Sequence, residues 1–228
     1  MDILKGLKIL SIKYKKNEIE ILIFISHFGR TYPEIIGNTF YKSIQMARNK
    51  ISQMKKNGLL EYEVTGLSQP KYSIVLTNES KRIVKDFGYT VSVQKGAINK
   101  IKHLSVEQLA FYHLSKLGEV KRISVWHHKN TYHAVPDLIL QTQINNIPIE
   151  VEIHQKGRPR YEDYVSRAKK DNFDKVLFIM PTKKLMITIA NNMPTWDKLF
   201  YIDIETMIEN IKVHNKIKPY TQKELLRG

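Results

Sequence analysis

Two short apolar runs, "AVPDLILQTQI" (134–144) and "IPIEVEI" (147–153), meet at Asn145 and Asn146 and carry three acids. Runs of this length, rich in branched residues and joined at turn-forming asparagines, predict an antiparallel hairpin. Strand side chains alternate, so Glu150, Glu152 and His154 would share one face and Val151 and Ile153 the other. Pro148 takes the acidic face two residues earlier, so the run of carboxylates begins at Glu150. Asp137, near the start of the first run, would lie across from this pair. Like charges in one site cannot all stay ionised cheaply, so such a trio either holds protons or binds a hard cation. Mg2+ or Mn2+ suits an all-oxygen set that leaves room for water and substrate phosphate. An ion there would activate water or stabilise charge on a phosphodiester.

The segments around the hairpin fix the fold class. "SVEQLAFYHLSKLG" (105–118) has helical spacing at Val106, Leu109, Ala110, Tyr112 and Leu117, with Ser105 and Gln108 as a capping box. "VKRISVWHH" is expected to be a strand, "RYEDYVSRAKK" a helix, "KVLFIMP" a buried strand and "KKLMITIANN" a helix. "KLFYIDI" is expected to be the final strand. Residues 105–228 therefore predict an α/β domain, a mixed sheet flanked by helices.

The first ninety residues follow a different pattern. "NEIEILIFISHFG" reads as a mostly buried helix ending at Gly29, and "RTYPEIIGNTF" as a shorter one with Pro33 in its first turn. "TFYKSIQMARNKISQMKKNGLL" is amphipathic: Ile44, Ala47, Ile51 and Met54 step by three or four, and Gly58 closes the helix. Lys42, Arg48, Lys50, Lys55 and Lys56 lie largely off that stripe. "LLEYEVTG" and "KYSIVLT" have strand chemistry around the turn "GLSQP", and "NESKRIVKDFG" restarts a helix with Asn78 as its N-cap. The order of three helices, a two-stranded wing and a helix resembles a winged helix-turn-helix. That resemblance implies a recognition helix in the major groove of double-stranded DNA and a wing against the backbone. Ser43, Gln45, Met46, Arg48 and Asn49 would meet bases or phosphates, and Lys55, Lys56 and Lys71 would meet phosphates. Winged helices also dock proteins, and that alternative stays open. Residues 91–104, rich in lysine and poor in core signals, read as a linker.

Charge bears on the choice of partner. The chain carries a formal +15, with 17 Lys+Arg against 8 Asp+Glu in its first hundred residues and 20 against 14 in the rest. Both parts are basic, which favours a polyanion such as nucleic acid. The absence of cysteine excludes disulfides, thiolate metal sites and cysteine nucleophiles. No apolar run approaches the length of a membrane span, so no membrane insertion and a cytoplasmic location are expected.

Pro136 and Asp137 followed by Glu150, Val151 and Glu152 resemble the core of the PD-(D/E)XK nucleases, in which the Asp and Glu ligate metal. A helix carrying an acid commonly precedes that core, and Glu107 fits the position. The resemblance covers about residues 103–205. With the winged helix added, and with Lys156, Arg160 and Tyr161 following the acidic strand, the chain most resembles MobC-type relaxases and replication-relaxation proteins. That resemblance implies metal-assisted nicking at an origin of plasmid transfer or replication, with relaxosome or conjugation-coupling proteins as partners.

The chain departs from the nuclease motif where the lysine belongs, because Glu152 stands there. Lys156 lies four residues on, about 13 Å of extended chain, and reaches the acids only if the backbone bends, for instance at Gly157. Alternatively Glu152 is itself a ligand, and His154 or Lys156 polarises the phosphate. The expected site is then Asp137, Glu150 and Glu152 for metal, with Lys156, His154 and Glu107 catalytic. Arg158, Arg160 and Tyr161 would contact DNA.

His127, His128 and His133 fit no familiar zinc spacing, though His133 would suit a phosphate. Tyr161 and Tyr164 share a helix face and invite a nucleophile reading, against which packing plus a phosphate hydrogen bond is the simpler expectation. The alternative to a nicking enzyme is a non-catalytic DNA-binding accessory or regulatory protein with a degenerate nuclease fold. A restriction-type or repair nuclease is the third reading.

Overall fold

Close-set isoleucines and leucines bury helix α1 (Lys16–Phe28) on most of its circumference: Ile21, Leu22 and Ile25 are fully buried. Gly29 ends the helix at φ 72°, a left-handed conformation that costs glycine nothing. These observations come from a computed structural model, which describes residues 14–92, 101–125 and 132–227. Two compact units divide between Ile101 and Lys102.

In the first unit Pro33 opens helix α2 (Pro33–Phe40), and a three-residue turn leads into α3 (Ile44–Lys56). Ala47, Ile51 and Met54 are wholly buried, as their spacing predicts, whereas Ile44 at the helix start is 37% exposed. Gly58, at φ 71°, lets the chain turn into strand β1 (Leu60–Val64), which pairs antiparallel with β2 (Tyr72–Leu76). Thr31, between α1 and α2, bridges to Ile74 and ties the start of the unit to this hairpin. Helix α4 (Asn78–Asp86) follows. Its cap is Thr77 rather than Asn78, because the Thr77 hydroxyl accepts the Ser80 N–H and donates to the Gly58 carbonyl.

The second unit is mixed α and β. Helix α5 (Ile101–Leu114) leads to a six-stranded sheet in chain order: β3 (Val120–Val125), β4 (Leu138–Thr142), β5 (Asn146–Val151), β6 (Val176–Met180), β7 (Leu199–Asp203) and β8 (Tyr220–Thr221). The β3–β4–β5 pairs and the β7–β8 pair are antiparallel, and β5–β6–β7 run parallel. Helices α6 (Arg158–Lys170) and α7 (Lys183–Asn192) make the two crossovers. Tyr161, Val165 and Ala168 of α6 and Met186, Ile189 and Ala190 of α7 form one core with Phe178 and Tyr201 of the sheet. No helix among the described residues is long and apolar enough to cross a membrane.

Several sequence expectations are corrected. Helix α5 already includes Ile101, so Ser105 lies inside it and forms no capping box, and residues 101–104 of the expected linker are helical. Residues 93–100 of that linker lie outside the described residues, as do His127 and His128. The β4–β5 turn is built on Thr142 and Asn145 around Gln143 and Ile144, not on the asparagine pair, and Asn146 already belongs to β5. The chain does not finish at β7. Asp203 caps helix α8 (Ile204–His214) by accepting the Thr206 N–H, and β8 and helix α9 (Gln222–Leu225) follow.

One polar pair in the first unit is largely buried. Lys50 Nζ lies 2.6 Å from Glu18 Oε1, with side chains only 10% and 7% exposed, so Lys50 joins the interior instead of the basic face. Removing one member of such a pair strands the other charge. Lys50→Ala should therefore lower unfolding stability by about 3 kcal/mol, whereas Lys56→Ala on the exposed surface should change it by less than about 0.5 kcal/mol. Urea unfolding of the two variants checks the contrast.

Candidate metal centre and nucleic-acid surfaces

The hairpin register brings the acids together. Leu138 pairs with Ile149, so one further step sets Asp137 across from Glu150. Asp137 is locked there from both ends of the residue: its N–H donates to the Ile149 carbonyl at 3.0 Å, and its Oδ2 accepts the Val151 N–H at 2.8 Å. Glu150 pairs with Phe178 of β6 and is buried. Glu152 lies just past the end of β5, held by its N–H to the Ile179 carbonyl at 3.0 Å, and is buried as well.

Past Val151 the backbone leaves the sheet and the alternation stops. That turn decides the fates of Lys156 and His154. The Lys156 ammonium returns to the acids and pairs with Glu152 Oε1. Tyr161 and Asn192 hold the bend in place: the Tyr161 hydroxyl accepts the Lys156 N–H at 2.9 Å, and the Asn192 amide donates to the Lys156 carbonyl at 2.9 Å. His154, expected on the acidic face, is exposed, and no hydrogen bond or ion pair runs from it to the acids.

Glu107 is brought in through an intermediary. His103, one turn earlier on α5, has Nε2 3.2 Å from Asp137 Oδ2 and Nδ1 3.7 Å from Glu107 Oε2. Sequence reasoning missed His103 because it fell in the expected linker; the i, i+4 spacing to Glu107 becomes a signal once the helix includes both.

Burial and mutual repulsion govern the electrostatics. Burial pushes the Glu150 carboxyl well above the usual carboxylate range, and the nearby Asp137 and Glu152 charges push it further. Burial also raises Glu152, against the Lys156 ammonium, which pulls it down. Tyr164 belongs to the same buried group. Burial and the Glu150 charge raise its hydroxyl well above the ordinary tyrosine value, and the hydroxyl and the Glu150 carboxyl interact directly.

No group of three or more histidine or acidic residues among the described residues is arranged to hold a metal ion. Asp137 spends Oδ2 on a backbone N–H and an imidazole, and Glu152 spends Oε1 on Lys156. Glu150 is buried beside the Tyr164 hydroxyl. The donor set is all oxygen, which is chemically that of a hard cation.

The remaining expected contacts divide. Tyr161 is 2% exposed and its hydroxyl is engaged with Lys156, so it is a core residue and not a DNA contact. Arg158 and Arg160 are exposed, the former paired with Glu162 at 3.0 Å. His133 is oriented by Asp171, which takes its ring Nδ1 at 2.7 Å and its backbone N–H at 2.9 Å and leaves the ring exposed. On α3, Ser43 caps the helix by accepting the Met46 N–H, Gln45 donates to Asn49 at 3.0 Å, and Arg48 pairs with Glu34 at 3.2 Å. These side chains are exposed, as are Lys55, Lys56 and Lys71.

No protein-family model matches the chain. No curated protein matches it. Among solved structures it is similar to the small subunit of the heterodimeric restriction endonuclease R.BspD6I, at 11% identity and a TM-score of 0.36, over 57% of this chain and 77% of that one. The chemical reading of the site rests on the side chains of this chain.

The raised Glu150 carboxyl has a measurable consequence. The folded state holds this proton to higher pH than the unfolded chain does, so stability falls as pH rises from the ordinary carboxylate range towards the folded value. Glu150→Gln keeps the neutral form's shape and removes that loss. At pH 8 in chelator the variant should melt roughly 2–6 °C above the wild type, for about 1–2 kcal/mol, and at pH 4 the two should coincide. Thermal unfolding at the two pH values checks it.

Proposed function

We propose that the chain is a metal-dependent DNA endonuclease that nicks one strand, with a restriction-endonuclease-like second unit and a winged-helix first unit. The observation that carries this reading is the return of Lys156 to the carboxylates, which supplies the lysine that the motif position lacks. Asp137, Glu150 and Glu152 would hold Mg2+ or Mn2+. Bound there, the cation supplies charge stabilisation for the phosphodiester and acidifies a water. Asp137 is fixed by its backbone hydrogen bonds where it could ligate such an ion, and Glu150 would have to be ionised to join it. Lys156, exchanging Glu152 for a phosphate oxygen, would neutralise charge on the scissile group. His103 and Glu107 orient Asp137 from α5.

The first unit supports the choice of DNA. Its helix order, the short connection from α2 to α3 and the hairpin tied back through Thr31 fit a winged helix, with the exposed side of α3 as the reading surface. Gln45, Arg48 and Asn49 are exposed there, and Lys55, Lys56 and Lys71 flank the wing. A resemblance to MobC-type relaxases makes a supercoiled plasmid bearing a transfer or replication origin the substrate of choice.

A second reading, a DNA-binding accessory or regulatory protein without catalysis, is favoured by the saturated oxygens of Asp137 and Glu152. The assay separating the two is relaxation of supercoiled plasmid with Mg2+ or Mn2+, using the wild type, Asp137→Ala and Glu150→Ala. The nuclease reading expects open-circular product from the wild type and at least about a hundredfold loss in each variant. Tight binding by the wild type with no metal-dependent nicking would establish the second reading.

A further inference from the structure

The hairpin of the first unit has an aromatic face whose two tyrosines the proposed duplex contacts do not use, although its neighbour Lys55 is shared with them. Leu60, Tyr62 and Val64 of β1 share one side with Leu76, Ile74 and Tyr72 of β2, by register and alternation. Near α3 this face is buried, through Leu60, Leu76 and Ile74. Farther out it opens to solvent, with Tyr62 41%, Tyr72 51% and Val64 70% exposed. The two tyrosine rings lie 5.9 Å apart at 39°, and Lys55 Nζ sits 4.3 Å from the Tyr62 ring centre. The acids of β1 are directed elsewhere: Glu61 and Glu63 alternate to the opposite side, where Glu63 pairs with Arg30 at 3.2 Å.

We propose that this face is a stacking platform for unpaired nucleotides, the bases lying on Tyr72 and Tyr62 and a phosphate meeting Lys55. An exposed aromatic pair with a cation beside it is what sequence-tolerant single-strand binding needs, because every base has a π-face and every linkage a charge. The net charge of +15 favours a nucleic acid over a protein ligand on this surface. Duplex DNA buries its base faces within the stack, so the platform acts on melted or flapped strand. The inference rests on the nucleic-acid reading of this unit and extends it to a second substrate form, single-stranded DNA beside a duplex site.

The test is fluorescence anisotropy of the full chain with labelled dT12 and with a labelled duplex, in chelator so that cutting plays no part. Tyr72→Leu keeps apolar volume on the hairpin and removes the ring; Tyr72→Phe keeps the ring and removes the hydroxyl. The proposal expects Tyr72→Leu to weaken dT12 binding about tenfold, Tyr72→Phe to match the wild type, and duplex affinity to stay within about twofold in both. Melting temperatures confirm that both variants are folded. Unchanged dT12 affinity in Tyr72→Leu overturns the platform, and so does an equal loss on dT12 and duplex. Wild-type protein that binds duplex but not dT12 overturns the platform alone. Protein that binds neither overturns the nucleic-acid reading beneath it.

Discussion

The ion pair from Lys156 to Glu152 is the interaction on which the chemistry of the second unit turns. Three acids at the end of two strands form an unfavourable group by themselves, because burial and repulsion both oppose ionisation. The chain answers with one ammonium, delivered from outside the strand by a bend that Tyr161 and Asn192 hold with hydrogen bonds to the Lys156 backbone. Those two side chains come from α6 and from the end of α7, so the crossover helices do more than cover the sheet. They set where the lysine lands.

Neutralisation by Lys156 is incomplete, and the remainder falls on Glu150. Buried beside the Tyr164 hydroxyl and close to two other carboxyls, it is held well above the ordinary carboxylate range. On the proposed function, a bound cation would relieve this repulsion.

Much of this was legible in the sequence where it depended on local periodicity. Alternation along "IPIEVEI" and the hairpin it forms with "PDLILQT" put Asp137 across from Glu150, and the structure keeps that register. The spacing of Ala47, Ile51 and Met54 read α3 correctly. What was not legible depended on where periodicity stops. Alternation carried past Val151 puts His154 with the acids; the backbone turns there instead, which takes His154 away and brings in Lys156, the residue expected to arrive by a bend. His103 was hidden because a polar cap at Ser105 looked like a helix start, when the helix was already under way. Tyr161 was expected to pack and to bond a phosphate; it does pack into the core, but its hydroxyl is taken by the Lys156 N–H.

The central claim is that Lys156 does the work of the lysine missing from the Glu152 position, and a charge-retention experiment tests it most directly. Metal-dependent plasmid nicking is measured for Lys156→Gln and for Lys156→Arg. Lys156→Gln should lose about a hundredfold or more in rate, and Lys156→Arg, which keeps the charge, should retain a substantial part of it. Nicking by Lys156→Gln at the wild-type rate would contradict it.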